Sequence, residues 1–263
     1  MMKKPLTVQN IYDWLNEIAP FETAESYDNA GLLVGSAKAP VSRILVALDV
    51  TPAVLDEAQE LDVQLIVTHH PLMFRGTKRI VEEDYEGALI RRLIKADISM
   101  IAAHTNLDQS PEYSGSAALA AGLRLQNIRQ EGFMFVGDLP DGPIRADALR
   151  RRIADFEEDY VYQYGKDDAM ITALGISCGA YDEGFEQARA MGAQAYLTGE
   201  VRHHNALAAA CSGFVLYEGG HFGTEGPLVP PLARALQNAL NTLQYNVVVY
   251  PSTRRPYGGR LAL

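Results

Sequence analysis

The sequence predicts an α/β fold built from two related α/β halves, with layered sheets carrying helices on their faces. Three observations lead there. Short β-branched apolar runs alternate with ten-to-fifteen-residue helical patterns along the 263-residue chain, the pattern of βαβ units and largely parallel sheets. The chain also overlies itself weakly at a shift of 130 residues. Arg43–Thr68 then falls on Ala173–Thr198, strand on strand and helix on helix, with Ala58/Ala188, Gln64/Gln194 and Thr68/Thr198 identical. The segments after the two copies match as well: a helix, then a strand that ends His104-Thr-Asn-Leu-Asp108 in the first and His221-Phe-Gly-Thr-Glu225 in the second. The expected halves are residues 1–126 and 127–263, with the terminal elements after about 226 able to pack on the first half.

Along the chain, "TVQNIYDWLNEIAP" is an amphipathic helix with Thr7 as cap and Ile11, Trp14, Leu15 and Ile18 at helical spacing. "SYDNAGLLVG" is a turn leading to a short strand, with Asp28, Asn29 and Gly31 as ordinary turn formers. "RILVALDV" is a buried strand. "TPAVLDEAQELD" is a helix with Thr51 at the N-cap and Pro52 at its first position. Then come the strand "VQLIVTHH", the helix "YEGALIRRLIKAD", the strand "ISMIAAH" and the small-residue helix "SGSAALAAGLRL". "GFMFVGDL" is a strand and "RADALRRRIADF" a helix. "FEEDYVYQYGKDD" reads as a solvated segment with some core tyrosines. "ITALGISC", "AQAYLTGE", "GFVLYEGG" and "YNVVVYPS" are strands separated by helices at "DEGFEQARAMG", "NALAAACSG" and "PLVPPLARALQNALNTL". The tail "STRRPYGGRLAL" is Gly/Pro-rich and expected to be loose.

Composition narrows the function classes. With 48% hydrophobic and 21% charged residues the chain is an ordinary globular one. No apolar run reaches the ~18 residues of a membrane span, and the start lacks the apolar core of a signal peptide. Net charge is −10 with no polybasic cluster, which argues against bulk attraction to nucleic acid. An anionic small substrate stays open, because metal ions supply positive charge locally. Cys178 and Cys211 are the two cysteines, and both are expected reduced. The expected location is the cytoplasm. No P-loop, nucleophile-elbow or Rossmann glycine pattern is present.

The chemistry lies in the histidines. Of the six, His69, His70, His104 and His221 sit at C-terminal ends of expected strands, and His203 and His204 closely follow Glu200. Ligands of open α/β sheets bind beyond those strand ends. One strand-end histidine is usually a hydrogen-bonded structural residue; four are a pattern. In "HTNLD" and "HFGTE" the imidazole and the carboxylate are four apart, on one face if a helical turn starts there. Adjacent side chains on an extended strand point oppositely, so His69 and His70 either face two metal centres or splay around one. Mixed imidazole and carboxylate ligands suit zinc, manganese, iron or nickel. So many donors exceed what one tetrahedral ion needs, and fit two divalent ions bridged by a carboxylate about 3.5–4 Å apart.

The segments "ESYDNAGLLVG", "VALDVTPAVLDEA", "LIVTHHPLMF", "AAHTNLD", "LTGEVRHHNAL" and "GGHFGTE" occur in an order that resembles the NGG-interacting factor 3-like family, also labelled GTP cyclohydrolase 1 type 2 homologs and dinuclear metal centre proteins. The resemblance covers the chain to about Gly226, and the long middle insertion of some members is missing. It implies two divalent metal ions per subunit, held by His69, His70, Asp108, His221 and Glu225, with Asp108 bridging, at strand C-terminal ends between the halves. It implies that His104 lines the site and that Glu200 and His204 border the cleft. It also implies a homo-oligomer, a toroidal hexamer with the metals facing an internal cavity.

Two functions compete. In the first, the protein is a metal-dependent hydrolase acting on a nucleotide-like substrate. Metal-activated water would attack C8 of a guanine ring, or a phosphoester in another pose, with His104, Glu200 or His204 as general acid or base. In the second, it is a non-enzymatic metal-binding assembly acting in protein interaction or metal handling. Structural zinc sites tend to be closed and cysteine-rich, so a cysteine-free donor set favours open coordination and chemistry.

Overall fold

The computed structural model describes residues 5–157, 161–181 and 184–257. Two compact units divide the chain: one runs to Ser110 and resumes at Val229, the other runs from Pro111 to Leu228. The first begins with α1 (Val8–Ile18), β1 (Gly31–Val34), β2 (Arg43–Ala47), α2 (Pro52–Glu60), β3 (Leu65–Thr68), α3 (Tyr85–Lys95), β4 (Ser99–Ala102) and the single turn α4 (Thr105–Asp108). The second holds α5 (Gly115–Gly122), β5 (Gln126–Glu131), β6 (Met134–Asp138), β7 (Ile144–Arg145), α6 (Ala146–Glu157), β8 (Tyr162–Tyr164) and β9 (Met170–Ile171). It continues with β10 (Ala173–Ile176), α7 (Gly184–Ala190), β11 (Ala195–Thr198), α8 (His203–Cys211), β12 (Val215–Glu218) and α9 (His221–Glu225). The chain returns to the first unit with α10 (Val229–Thr242) and β13 (Val248–Pro251). The halfway point expected at residue 126 is thus the first residue of β5, inside the second unit.

In the first unit the strand order is β1-β4-β3-β2-β13. β13, β2, β3 and β4 are parallel, and β1 closes one edge antiparallel. Every residue of β3 and β4 is buried, as expected of parallel strands covered on both faces. The helices start where the side chains say. Thr51 Oγ1 accepts the Val54 amide at 3.2 Å and Pro52 occupies the first turn. Asn10 Oδ1 accepts from both the amide and the hydroxyl of Thr7 at 3.0 Å. The tail after β13 is not loose where it is described. Ser252 Oγ and Thr253 Oγ1 donate to the buried Glu57 carboxylate at 2.5 and 2.8 Å. Residues 258–263 of that tail lie outside the described residues.

The second unit has the order β5-β6-β10-β11-β12-β8, with β10, β11 and β12 parallel and the rest antiparallel. Its two faces separate by strand alternation. Leu174, Ile176, Leu197, Val215 and Tyr217 pack with Leu119, Leu149 and Ile153 from α5 and α6. Ala173, Tyr196 and Leu216 pack with Phe185, Ala188 and Ala209 from α7 and α8. Two strands of this sheet escape the sequence pattern. β5 is exposed throughout, and β8 lies in the segment read as solvated with some core tyrosines; both are edges. The start of the helix expected at Asp182 lies outside the described residues. Neither cysteine is in a disulfide; Cys178 is half-buried and Cys211 is exposed at the end of α8. No helix among the described residues is long and apolar enough to cross a membrane.

Candidate metal centre

In the first unit the parallel strands deliver three imidazoles to one place. β3 stops at Thr68 and the chain bends through His69 and His70, whose amides donate to Ala47 and Leu48 carbonyls. The extended backbone ends there, and of the two expected arrangements His69 and His70 take the second, splayed around one point. Their rings lie 5.0 Å apart, and His104, from the end of β4, is 5.1 Å from His69 and 5.5 Å from His70. One nitrogen from each of the three lies within 4.8 Å of the others, a group able to hold a metal ion.

Each ring has its Nδ1 committed to an oxygen. His69 Nδ1 meets Ala103 O at 3.0 Å, His70 Nδ1 meets Asp49 Oδ1 at 2.8 Å, and His104 Nδ1 meets Asp28 Oδ1 at 2.8 Å. An oxygen acceptor on Nδ1 keeps the proton there and leaves Nε2 with the lone pair, the arrangement of metal-ligating histidines. The Asp28 side chain is fully buried, and its second oxygen accepts the Thr105 amide at 3.0 Å and hydroxyl at 2.5 Å. Burial alone would raise this carboxyl, but hydrogen bonds from His104 and Thr105 outweigh it and hold Asp28 well below the ordinary carboxylate range. Asp108, the last residue of α4, brings Oδ1 to 3.5 Å from His69 Nε2.

The second unit builds a His–carboxylate pair on α9. The helical turn inferred from "HFGTE" is present, and it sets His221 Nε2 3.1 Å from Glu225 Oε2. His221 Nδ1 meets Glu200 Oε1 at 2.7 Å, so this imidazole too has its Nδ1 on an oxygen. Glu225 is buried, whereas the Glu200 side chain is 60% exposed. Room for Glu225 comes from Gly179, which has φ +65°; a Cβ there would collide with Glu225 Oε1. Gly199 is equally confined: its Cβ would meet Gly179 O and Thr224 Oγ1. A cavity of about 260 Å³ opens beside Glu200, lined also by Ala180, Val201, Arg202 and Glu218. Glu218 accepts the Tyr164 hydroxyl at 2.6 Å, and that hydrogen bond with partial burial pushes Tyr164 up to about 12.

Within each unit the candidate residues group by contact. His69, His70 and His104 form one cluster with Asp108 beside it; His221, Glu225 and Glu200 form one chain of contacts. His204 is an exposed residue in the first turn of α8. Sequence reasoning passes over Asp28 and Asp49, the carboxylates behind His104 and His70. Asp28 reads as a turn former and Asp49 as a strand end; their partners are 76 and 21 residues away. The donor set of imidazole nitrogens and carboxylate oxygens, without thiolate, suits a divalent transition ion with open positions.

Residues 6–256 match the family described as Duf34/NIF3 (NGG1p interacting factor 3). A Streptomyces coelicolor protein named GTP cyclohydrolase 1 type 2 homolog is 34% identical over 227 residues, 81% of this chain and 79% of its own. A Helicobacter pylori protein named GTP cyclohydrolase 1 type 2 is 33% identical over 218 residues, 83% of this chain and 86% of its own. The crystal structure of a Staphylococcus aureus hypothetical protein superposes with a TM-score of 0.91 at 28% identity, covering 95% of this chain and 97% of that one. With its match running through both units, this chain belongs to the Duf34/NIF3 family.

Proposed function

We propose that this protein is a metal-dependent hydrolase with a dinuclear centre, acting on a nucleotide-like substrate. The observation that carries the reading is the common treatment of the imidazoles. His69, His70, His104 and His221 each have Nδ1 on an oxygen acceptor, the arrangement of metal-ligating histidines. In this reading His69, His70, Asp108, His221 and Glu225 would be the residues that hold the ions. When bound, divalent ions supply Lewis acidity that makes water nucleophilic near neutral pH.

The chain's own groups do the rest. Asp28, Asp49 and Ala103 O hold the rings of His104, His70 and His69 in one tautomer. Glu200 is exposed, borders the cavity and holds the His221 ring; in this reading it also takes up and returns the proton of the reaction. The relatives named for GTP cyclohydrolase support a purine nucleotide as the first substrate to try.

The test is metal content with turnover. Purified protein is assayed for bound metal and for hydrolysis of GTP and a phosphodiester panel with manganese or zinc, alongside His69→Ala and Glu225→Gln. About two ions per chain and turnover abolished in both variants are expected. Turnover that persists in a metal-free variant sinks the hydrolase. Full metal content with no turnover of any substrate favours a non-enzymatic metal-binding assembly.

A further inference from the structure

Two large aromatic side chains stand in solvent beside the imidazoles of the first unit. Tyr27 is 62% and Phe74 44% exposed. Their ring centroids are 6.3 Å apart with planes at 63°, and Phe74 meets His104 edge-on at 5.9 Å and 82°. Aromatic rings gain the most from being covered, and an exposed apolar pair beside a polar cluster marks a binding surface.

The pair is also held in place by its neighbours. Tyr27 precedes Asp28, whose carboxylate is fastened to His104 and Thr105. The next residue, Asn29, donates its side-chain amide to Met73 O at 2.6 Å. That bond ties the loop bearing Phe74 to the turn bearing Tyr27. Three consecutive residues thus set a ring, a histidine-orienting carboxylate and the strap that positions the second ring.

We infer that Tyr27 and Phe74 form a stacking subsite for the planar heteroaromatic ring of a substrate, of the nucleobase class, next to His104. One ring offers a face and the other an edge, the two arrangements that aromatic pairs prefer. Stacking is tolerant of base identity because every base has a π face, so the pair selects a flat ring rather than one particular base. The inference deepens the proposed hydrolase by saying where the base sits, but stacking itself needs no metal, so the two readings fail separately.

The test titrates guanosine, adenosine and inorganic triphosphate against the full chain, metal-loaded and chelator-treated, by calorimetry and saturation-transfer NMR. Both nucleosides are expected to bind, with saturation transferred to base protons. Tyr27→Ala and Phe74→Ala should each weaken nucleoside binding about tenfold or more. Tyr27→Phe and Phe74→Tyr should keep it, and ring-free triphosphate should respond to none of the four. Nucleoside affinity unchanged in both alanine variants overturns the inference, as does no nucleoside binding to the wild type at millimolar concentration. Self-association of the wild type that Phe74→Ala abolishes would show a second copy on these rings and also overturn it. Intact stacking without metal binding or turnover would defeat the hydrolase and leave the subsite standing.

Discussion

The two units are built alike where their parallel strands begin and differently where those strands end. Gln64 Oε1 accepts the Ser42 amide, Ser42 hydroxyl and Arg43 amide at 3.0, 2.9 and 3.1 Å, while its Nε2 donates to Asp62 O at 2.6 Å. Gln194 Oε1 accepts the Thr172 amide, Thr172 hydroxyl and Ala173 amide at 2.9, 2.6 and 2.9 Å, while its Nε2 donates to Gly192 O at 2.9 Å. The turn residue supplying that carbonyl has positive φ in both, Asp62 at 52° and Gly192 at 94°. One amide side chain per unit thus fixes the start of two neighbouring strands.

At the other end the correspondence in position survives and the chemistry diverges. The same shift of 130 residues lays His69-His70 on Gly199-Glu200 and Asp49 on Gly179. In the first unit Asp49 is the acceptor behind an imidazole. In the second, Gly179 leaves space for Glu225, and its carbonyl accepts from Thr198 Oγ1 and the amides of Gly199 and Glu200. The lesson is that strand starts in both units are fixed by the same device. The ends of β3 and β11 are then free to carry two histidines in one unit and a glycine and a carboxylate in the other.

Substitutions can break this comparison at either end. The largest effect is expected from His69→Ala, which removes a fully buried ring at the centre of the imidazole cluster. Its zinc affinity, by competition with a chromophoric chelator, should fall by more than the roughly 10- to 100-fold that losing an outer partner costs. Unchanged affinity would make the first unit's tip a structural histidine cluster.

Next come the outer partners themselves. Asp49→Ala should weaken metal binding roughly 10- to 100-fold, with Asp49→Asn closer to wild type because its carbonyl oxygen still accepts from Nδ1. Glu200→Ala should do less, since a partner that is 60% exposed is replaced by water more easily. Equal losses from Asp49→Ala and Glu200→Ala would erase the difference drawn between the tips.

Gly179→Ala should destabilise the protein by about 1–3 kcal/mol, the cost of a non-glycine residue held at positive φ, with a further displacement of Glu225. Denaturant midpoints read the first effect and metal affinity the second. The smallest effects belong to the strand starts. Gln64→Ala and Gln194→Ala should each cost about 1–2 kcal/mol, because each strips a shared acceptor from one exposed and one part-buried backbone amide. Neither should alter metal affinity. A large cost in one unit and none in the other would mean that the two clamps do not fix the strand starts in the same way.

Much of this architecture is legible in the amino-acid sequence. β2, β3, β4, β10, β11 and β12 announce themselves because parallel strands are apolar throughout, and Thr51-Pro52 is a helix start by chemistry alone. β5 and β8 are not legible. An exposed edge strand such as "QNIRQE" has no apolar alternation, and its pairing with β6 is decided by the partner strand. The site divides the same way. Strand-end histidines and the four-residue spacing of "HFGTE" are sequence facts with direct geometric consequences. The meeting of His69 with His70 is not, because it depends on where the extended backbone stops. Asp28 and Asp49 carry no local mark at all; their role exists only once distant segments come together.

In the proposed reading these imidazoles present Nε2 to a divalent ion. The most direct test is an anomalous-difference map from crystals of zinc-loaded protein. The expected result is a peak about 2.0–2.1 Å from Nε2 of at least one of His69, His70 and His104, with Asp28 and Asp49 still on Nδ1. A map with no peak there at saturating zinc, or with zinc on Nδ1 and those carboxylates displaced, would contradict the account.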